Sequence, residues 1–179
     1  MDYLEILDYD RMAPEAREVV DKIKARLGRI PNAYGIMANS PAALKAFMEF
    51  YTLLKKGTLR SREIEAVALV IFQSIGCLYC IAAHTEIARR HKMTEQEVND
   101  LRLGKSADPK LNALVQLAKD IYLSKGQPRQ EYIEAFFAAG YNQAALVEVI
   151  AQVALNVFSG YLNKIAQTPI DAPKDKEEG

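Results

Sequence analysis

Proline, glycine and capping residues cut this chain at regular places, and between the cuts apolar residues recur every three or four positions, the helical period. The prolines Pro14, Pro31, Pro41, Pro109, Pro128, Pro169 and Pro173 all fall at the boundaries of such segments. Ala13-Pro14 opens a helix through about Leu27, which Gly28 closes. Ser40 is a capping hydroxyl ahead of a proline at the first helical position, and its helix runs to about Lys56, before Gly57. Thr94 and Glu97 have the spacing of a capping box, and Gly104 ends the short helix they start. Asp108-Pro109 begins a helix to about Lys125, Pro128 begins one that stops at Gly140, and Asn142 caps a long apolar one to about Ala166. Alternating strand pairs and Asn-Gly or Asp-Gly hairpin turns are missing, so the expected class is all-α. Residues 1–170 are expected to form a single domain, and the charged residues 171–179 a frayed, disordered tail.

A length of 179 residues suits one domain and gives it enough core to fold without disulfide staples. Its 23 basic residues balance 23 acidic ones, which gives no support to nucleic-acid binding. A hydrophobic fraction of 50% argues against intrinsic disorder. The acidic opening lacks the positive region of a secretory signal. The longest apolar run, 66–81, is interrupted by Gln73, Ser74 and Gly76, so no membrane span is expected. The expected compartment is a reducing cytoplasm, where a close cysteine pair is more often catalytic or metal-binding than structural.

Both cysteines and both histidines lie between positions 77 and 91, as Cys77-x-x-Cys80-x-x-x-His84 with His91 seven residues later. On a helix starting at Cys77, the two cysteines are i and i+3, near enough for a disulfide. Cys80 and His84 are i and i+4 on one face. A thiol at a helix N-terminus beside an imidazole has two separate causes for a lowered pKa. Ser74 and Gly76 predict a break that folds the chain into an antiparallel helical hairpin, in which facing positions sum to about 149. Glu65 then faces His84 and would fix its tautomer, as the orienting acid does in a nucleophile–base–acid arrangement. Glu63 points elsewhere, being about 200° away around the helix.

Other readings of this window are weaker. Two inert core cysteines have no reason to sit beside the chain's only histidines. A four-ligand zinc cage fails because Cys77 and His84, like His84 and His91, are about 10.5 Å apart along a helix axis. A partial site of Cys80, His84 and Glu65 stays open, and His91 reads as a solvated residue at a helix end. Glu65 could instead be a first-turn carboxylate that favours the helix dipole. Tyr79 either reaches the surface or lines the dithiol pocket. A thioredoxin arrangement fails because the ten residues after Pro169 leave no room for its remaining strands and helix.

Glu65, eleven intervening residues and then Cys77-x-x-Cys80-x-x-x-His84 resemble the signature of the AhpD-like branch of the carboxymuconolactone decarboxylase family. Two further segments are similar to peroxidase-related members: Gly28-Arg-Ile-Pro31-Asn32 leading to Ser40-Pro41, and Asn163-x-x-Ala166-x-Thr168-Pro169-x-Asp171. The resemblance implies an AhpD-like helical domain whose central hairpin carries the C-x-x-C, in a homo-oligomer, a trimer or hexamer. It implies a peroxiredoxin-type thiol peroxidase and disulfide reductase with no metal, haem or other cofactor. Cys80 would be the thiolate attacking a small hydroperoxide or partner disulfide, Cys77 the resolving thiol, and His84 polarised by Glu65 the general base. Helix position alone would nominate Cys77 as the nucleophile, whereas His84 at i+4 and the family favour Cys80. An external dithiol, lipoyl groups in characterised relatives, would reduce the disulfide. Those peroxidases have a histidine just before the second cysteine, where this chain has Tyr79, and a phenol of pKa about 10 is no base at neutral pH. The alternatives are a lactone decarboxylase, which needs no dithiol, and a non-enzymatic thiol sensor that docks a partner.

Overall fold

The computed structural model describes residues 3–171. Among them the chain forms nine α-helices and no strand: α1 (Pro14–Leu27), α2 (Asn32–Met37), α3 (Pro41–Leu54), α4 (Ser61–Ile75), α5 (Leu78–Arg90), α6 (Glu95–Leu103), α7 (Pro109–Leu123), α8 (Gln130–Ala138) and α9 (Gln143–Ile165). The expected caps are made. Ser40 Oγ accepts the Ala43 N–H at 3.3 Å, and Asn142 Oδ1 accepts that of Ala145 at 2.9 Å. Thr94 and Glu97 exchange the two bonds of a capping box. The sequence reading misses α2. Its six residues are fewer than any periodicity window needs, and its backbone is held from outside, where the Leu7 N–H donates to Gly35 O at 3.2 Å.

Helix α4 is the axis of the structure and packs against α5, α6, α7 and α9. Ala66, Val67, Leu69, Val70 and Ile71 are fully buried, so this helix is enclosed on every side, as a helix apolar all round must be. A second apolar cluster joins α1 to α2 and α3 through Val20, Ile23, Met37 and Leu44. By length and composition α9 is apolar enough to cross a membrane. Its Val149, Val153, Asn156 and Gly160 nevertheless lie in the protein interior.

The chain reverses between α4 and α5 at Gly76, which adopts φ +73° and ψ +36°. Lys164 of α9 donates its ammonium to Ile75 O at 3.1 Å, satisfying a carbonyl at the end of α4. Cys77 then caps α5, its sulfur accepting the Cys80 N–H at 3.2 Å.

The link between α1 and α2 meets the segment that follows α9. Asp171, assigned from sequence to the disordered tail, is instead tied down. Its carboxylate accepts from the Arg29 guanidinium and from the Asn32 N–H, each at 2.7 Å, while Asn32 Nδ2 donates to Pro169 O at 3.1 Å. A charged pair plus a backbone donor holds this position where charge alone suggested a loose end. The rest of the expected tail, 172–179, lies outside the described residues.

Replacing Gly76 with alanine tests the turn. A Cβ there meets only the Lys164 ammonium, at 3.8 Å, so its cost is the left-handed backbone itself. Urea unfolding is expected to show a loss of about 1–2 kcal/mol.

Candidate functional site

Glu65 lies on α4, one turn beyond its start, and is 5% exposed. A carboxylate so placed needs a partner, and it finds one across the hairpin: Glu65 Oε1 and His84 Nδ1 are 2.5 Å apart. The two positions sum to 149, the register expected from the break at Gly76. The His84 ring rests on Phe72 with centroids 4.7 Å apart, so its tautomer and its orientation are both held. Glu63 does point elsewhere. One of its oxygens accepts the Arg60 N–H at 2.7 Å to cap α4, and the other accepts the Tyr141 hydroxyl at 2.8 Å.

Cys77 and Cys80 are joined as a disulfide, with Cα atoms 5.3 Å apart. Both are buried, yet they face different spaces. Cys80 and His84 share the wall of a cavity of about 200 Å³ whose other walls include Met37, Phe47, Phe72 and Tyr79. Cys77 lies instead at the base of an open surface groove of about 350 Å³ between the start of α5 and the 164–170 segment. Charges around the Cys80 cavity cancel in pairs: Arg29 with Asp171 at 2.7 Å and Arg90 with Glu86 at 3.2 Å. The cavity is therefore apolar within and close to neutral at its rim.

Tyr79 lines this cavity rather than reaching the surface. Its hydroxyl oxygen accepts the Ala33 N–H at 3.3 Å. Burial, reinforced by the nearby Asp171 carboxylate, pushes the phenol further above its ordinary range. Tyr79 is a wall that joins α5 to α2, and it is no base at neutral pH. His91 caps the end of α5 and is half-buried. The partial ligand set of Cys80, His84 and Glu65 is committed otherwise, with the sulfur in the disulfide and the other two bonded to each other. Among the described residues, no three His, Cys, Asp or Glu side chains group as a metal ion needs.

One site residue was quoted from sequence without a role. Asn163 of α9 is 5% exposed, and its Nδ2 lies 3.6 Å from Cys80 Sγ as a donor. The amide cannot be flipped without loss. Nδ2 also donates to Ser159 O at 2.9 Å, and Oδ1 accepts the Thr168 hydroxyl at 2.8 Å. Its polar face among apolar neighbours was the available signal, but assigning it to Cys80 requires the rotation of α9.

Residues 41–120 match the carboxymuconolactone decarboxylase family. A curated relative, protein YdfG of Bacillus subtilis (strain 168), is 29% identical over 98 residues, 52% of this chain and 67% of its own. The fold is similar to that of an alkylhydroperoxidase AhpD core, a peroxidase-related protein from Ralstonia eutropha JMP134. That match has a TM-score of 0.83 and 19% identity, over 96% of this chain and 91% of the other. It is also similar to the debrominase Bmp8, with a TM-score of 0.80 and 20% identity over 96% and 94% of the two chains. Identities this low establish a shared AhpD-like helical architecture.

A hydrogen bond from Asn163 favours Cys80 as thiolate over thiol. With the protein reduced, Asn163→Ala is expected to slow alkylation of Cys80 at neutral pH by about tenfold, the scale of one bond to a charged acceptor. Peptide mass spectrometry against time checks this.

Proposed function

For a chain whose residues 41–120 match the carboxymuconolactone decarboxylase family and whose fold is AhpD-like, we propose a dithiol oxidoreductase of the alkylhydroperoxidase kind, working in a reducing cytoplasm. One observation carries it: Cys80 and a histidine held by a buried carboxylate share the wall of an apolar cavity. In this scheme His84 takes the Cys80 thiol proton, and the thiolate attacks the outer oxygen of a small hydroperoxide. The O–O bond breaks, the proton returns to the departing alkoxide, and Cys80 becomes a sulfenic acid. Cys77 then attacks Cys80 Sγ, releasing water and forming the disulfide that the structure contains. The dithiol supplies both electrons.

An external dithiol, lipoyl groups being one candidate, restores the cysteines. The open groove at Cys77 supports its entry from the side away from the peroxide cavity. Attack on Cys77 Sγ breaks the S–S bond and expels Cys80 as a thiolate, beside the Asn163 donor. The second thiol of the reductant then releases Cys77. The exposed apolar stripe of Val147, Ile150, Tyr161 and Ile165 on α9 supports self-association into a trimer or hexamer.

A second reading has its own support. The cavity is larger than a bare peroxide needs, and it is lined by Phe47, Phe72, Tyr34 and Tyr79, which suits a small neutral aromatic. The similar fold of Bmp8 belongs to a debrominase. On that chemistry a dithiol and an aryl bromide become a disulfide, an arene and hydrogen bromide.

Adding one equivalent of cumene hydroperoxide to the reduced protein is expected to lower its intact mass by about 2 Da, reversibly with a dithiol. Cys80→Ser should abolish that reaction, and Cys77→Ser should stall at a sulfenic acid that a dimedone probe captures. No mass change with peroxide, but one with a bromopyrrole, would favour the second reading. Glu65→Gln leaves the imidazole without its carboxylate and is expected to slow the peroxide step by about 10–100-fold, read by stopped flow on the reduced protein.

A further inference from the structure

Behind the Glu65–His84 pair, on the side away from the disulfide, lies a second and smaller space of about 30 Å³. One face each of α3, α4, α5 and α9 encloses it, through Tyr51 and Lys55, Ser61 and Glu65, His84 and His91, and Gln152 and Asn156. Such a junction of packed helices is ordinarily filled by apolar side chains. Here Ile64, Ala68, Ile87 and Leu155 share the lining with those eight polar side chains, and the volume suits a water molecule.

The buried groups around it are also under-partnered. Asn156 is 5% exposed, and its Nδ2 is the one buried side-chain nitrogen or oxygen among the described residues that has no hydrogen-bond partner. Gln152, one turn earlier on the same face of α9, is 3% exposed and has no side-chain hydrogen bond within the described residues. Glu65 spends one oxygen on His84 and has no second partner there. An unmet buried amide costs about 1–3 kcal/mol, so the orphan donor of Asn156, on a chamber that Glu65 and Gln152 also line, calls for a group that can accept from it.

We propose that this chamber holds a buried water that accepts from Asn156 Nδ2 and donates to the second oxygen of Glu65, making Asn156 and Gln152 positioning residues for the Glu65–His84 pair. Tyr51, Lys55 and His91 are the titratable groups that complete the chamber walls. A proton collected by His84 thus has a polar route out between the ends of α3 and α5 that does not cross the apolar cavity. A donor on the second oxygen of Glu65 holds the carboxylate square to His84 Nδ1, and without it the imidazole is less firmly placed beside Cys80. This inference rests on the reading that the pair serves Cys80.

A high-resolution crystal structure of the full chain is expected to show an ordered water within hydrogen-bond distance of Asn156 Nδ2 and Glu65. A dry chamber, or a water that does not touch Glu65, overturns the proposal. Asn156→Leu separates a bridged amide from a dry orphan. If the amide is bridged the thermal midpoint falls, whereas removing a dry orphan leaves it unchanged or raises it. In the reduced variant, iodoacetamide alkylation of Cys80 should slow by about threefold at neutral pH, equivalent to moving its pH profile up by about half a unit. Asn156→Ser, which keeps a donor, should restore most of that rate, and Gln152→Leu gives a second reading if the leucine variant does not fold. An unchanged profile in folded Asn156→Leu overturns the positioning role. Alkylation and crystallography use no peroxide, so both stay informative if the peroxidase reading fails.

Discussion

A carboxylate inside a helix whose middle is enclosed on every side sets the terms for the rest of this molecule. Leaving Glu65 unpaired there would cost several kcal/mol, and it meets that demand through one side chain on a neighbouring helix. The bond fixes how α5 runs back along α4. Moving α5 by one residue would bring Ala83 or Thr85 to the carboxylate and turn Ile81 and Ala88 away from the core they fill. The left-handed turn at Gly76, the Lys164 cap on Ile75 and the packing of Phe72 on the imidazole all agree with that single register. Electrostatics and apolar packing thus select the same arrangement, the mutual consistency expected of a sequence with one preferred fold.

From that register follows the division of the dithiol. Because Cys77 is the cap and Cys80 lies in the first turn of α5, the two residues are bonded yet line different spaces, Cys77 a surface groove and Cys80 the apolar cavity. A substrate and a reductant need not compete for one opening. The neutral rim of the cavity adds a selectivity of its own, since paired guanidinium and carboxylate groups offer a charged visitor no unmet partner. Aromatic walls then favour compact, uncharged molecules over strongly hydrated ones.

Much of this was legible in the residues. Gly76 marks the turn, the interval from Glu65 to His84 gives the register, and Ser40, Thr94, Asp108 and Asn142 mark four helix starts, because each depends on neighbours in sequence. Asn163, Asn156 and Gln152 were harder. They lie within a helix whose dominant signal is apolar, and their meaning depends on how α9 is rotated against α4 and α5, which no local pattern states. Tyr79 was ambiguous for a similar reason. Its hydroxyl is placed by Ala33 at the start of α2, a helix too short to announce itself. Asp171 looked like the head of a solvated tail, and only its distant partners, Arg29 and Asn32, make it part of the wall.

The junction of the α1–α2 link with the segment after α9 has a temporal consequence. Both cysteines leave the ribosome long before Asn163, Thr168 and Asp171, which supply the donor at Cys80 and the latch beside its cavity. At typical synthesis rates that interval is on the order of ten seconds. During it the hairpin can form, but the sulfur lacks its amide donor and the cavity lacks one wall. The donor that favours the Cys80 thiolate and the latch beside its cavity are thus the last parts of the site to be made.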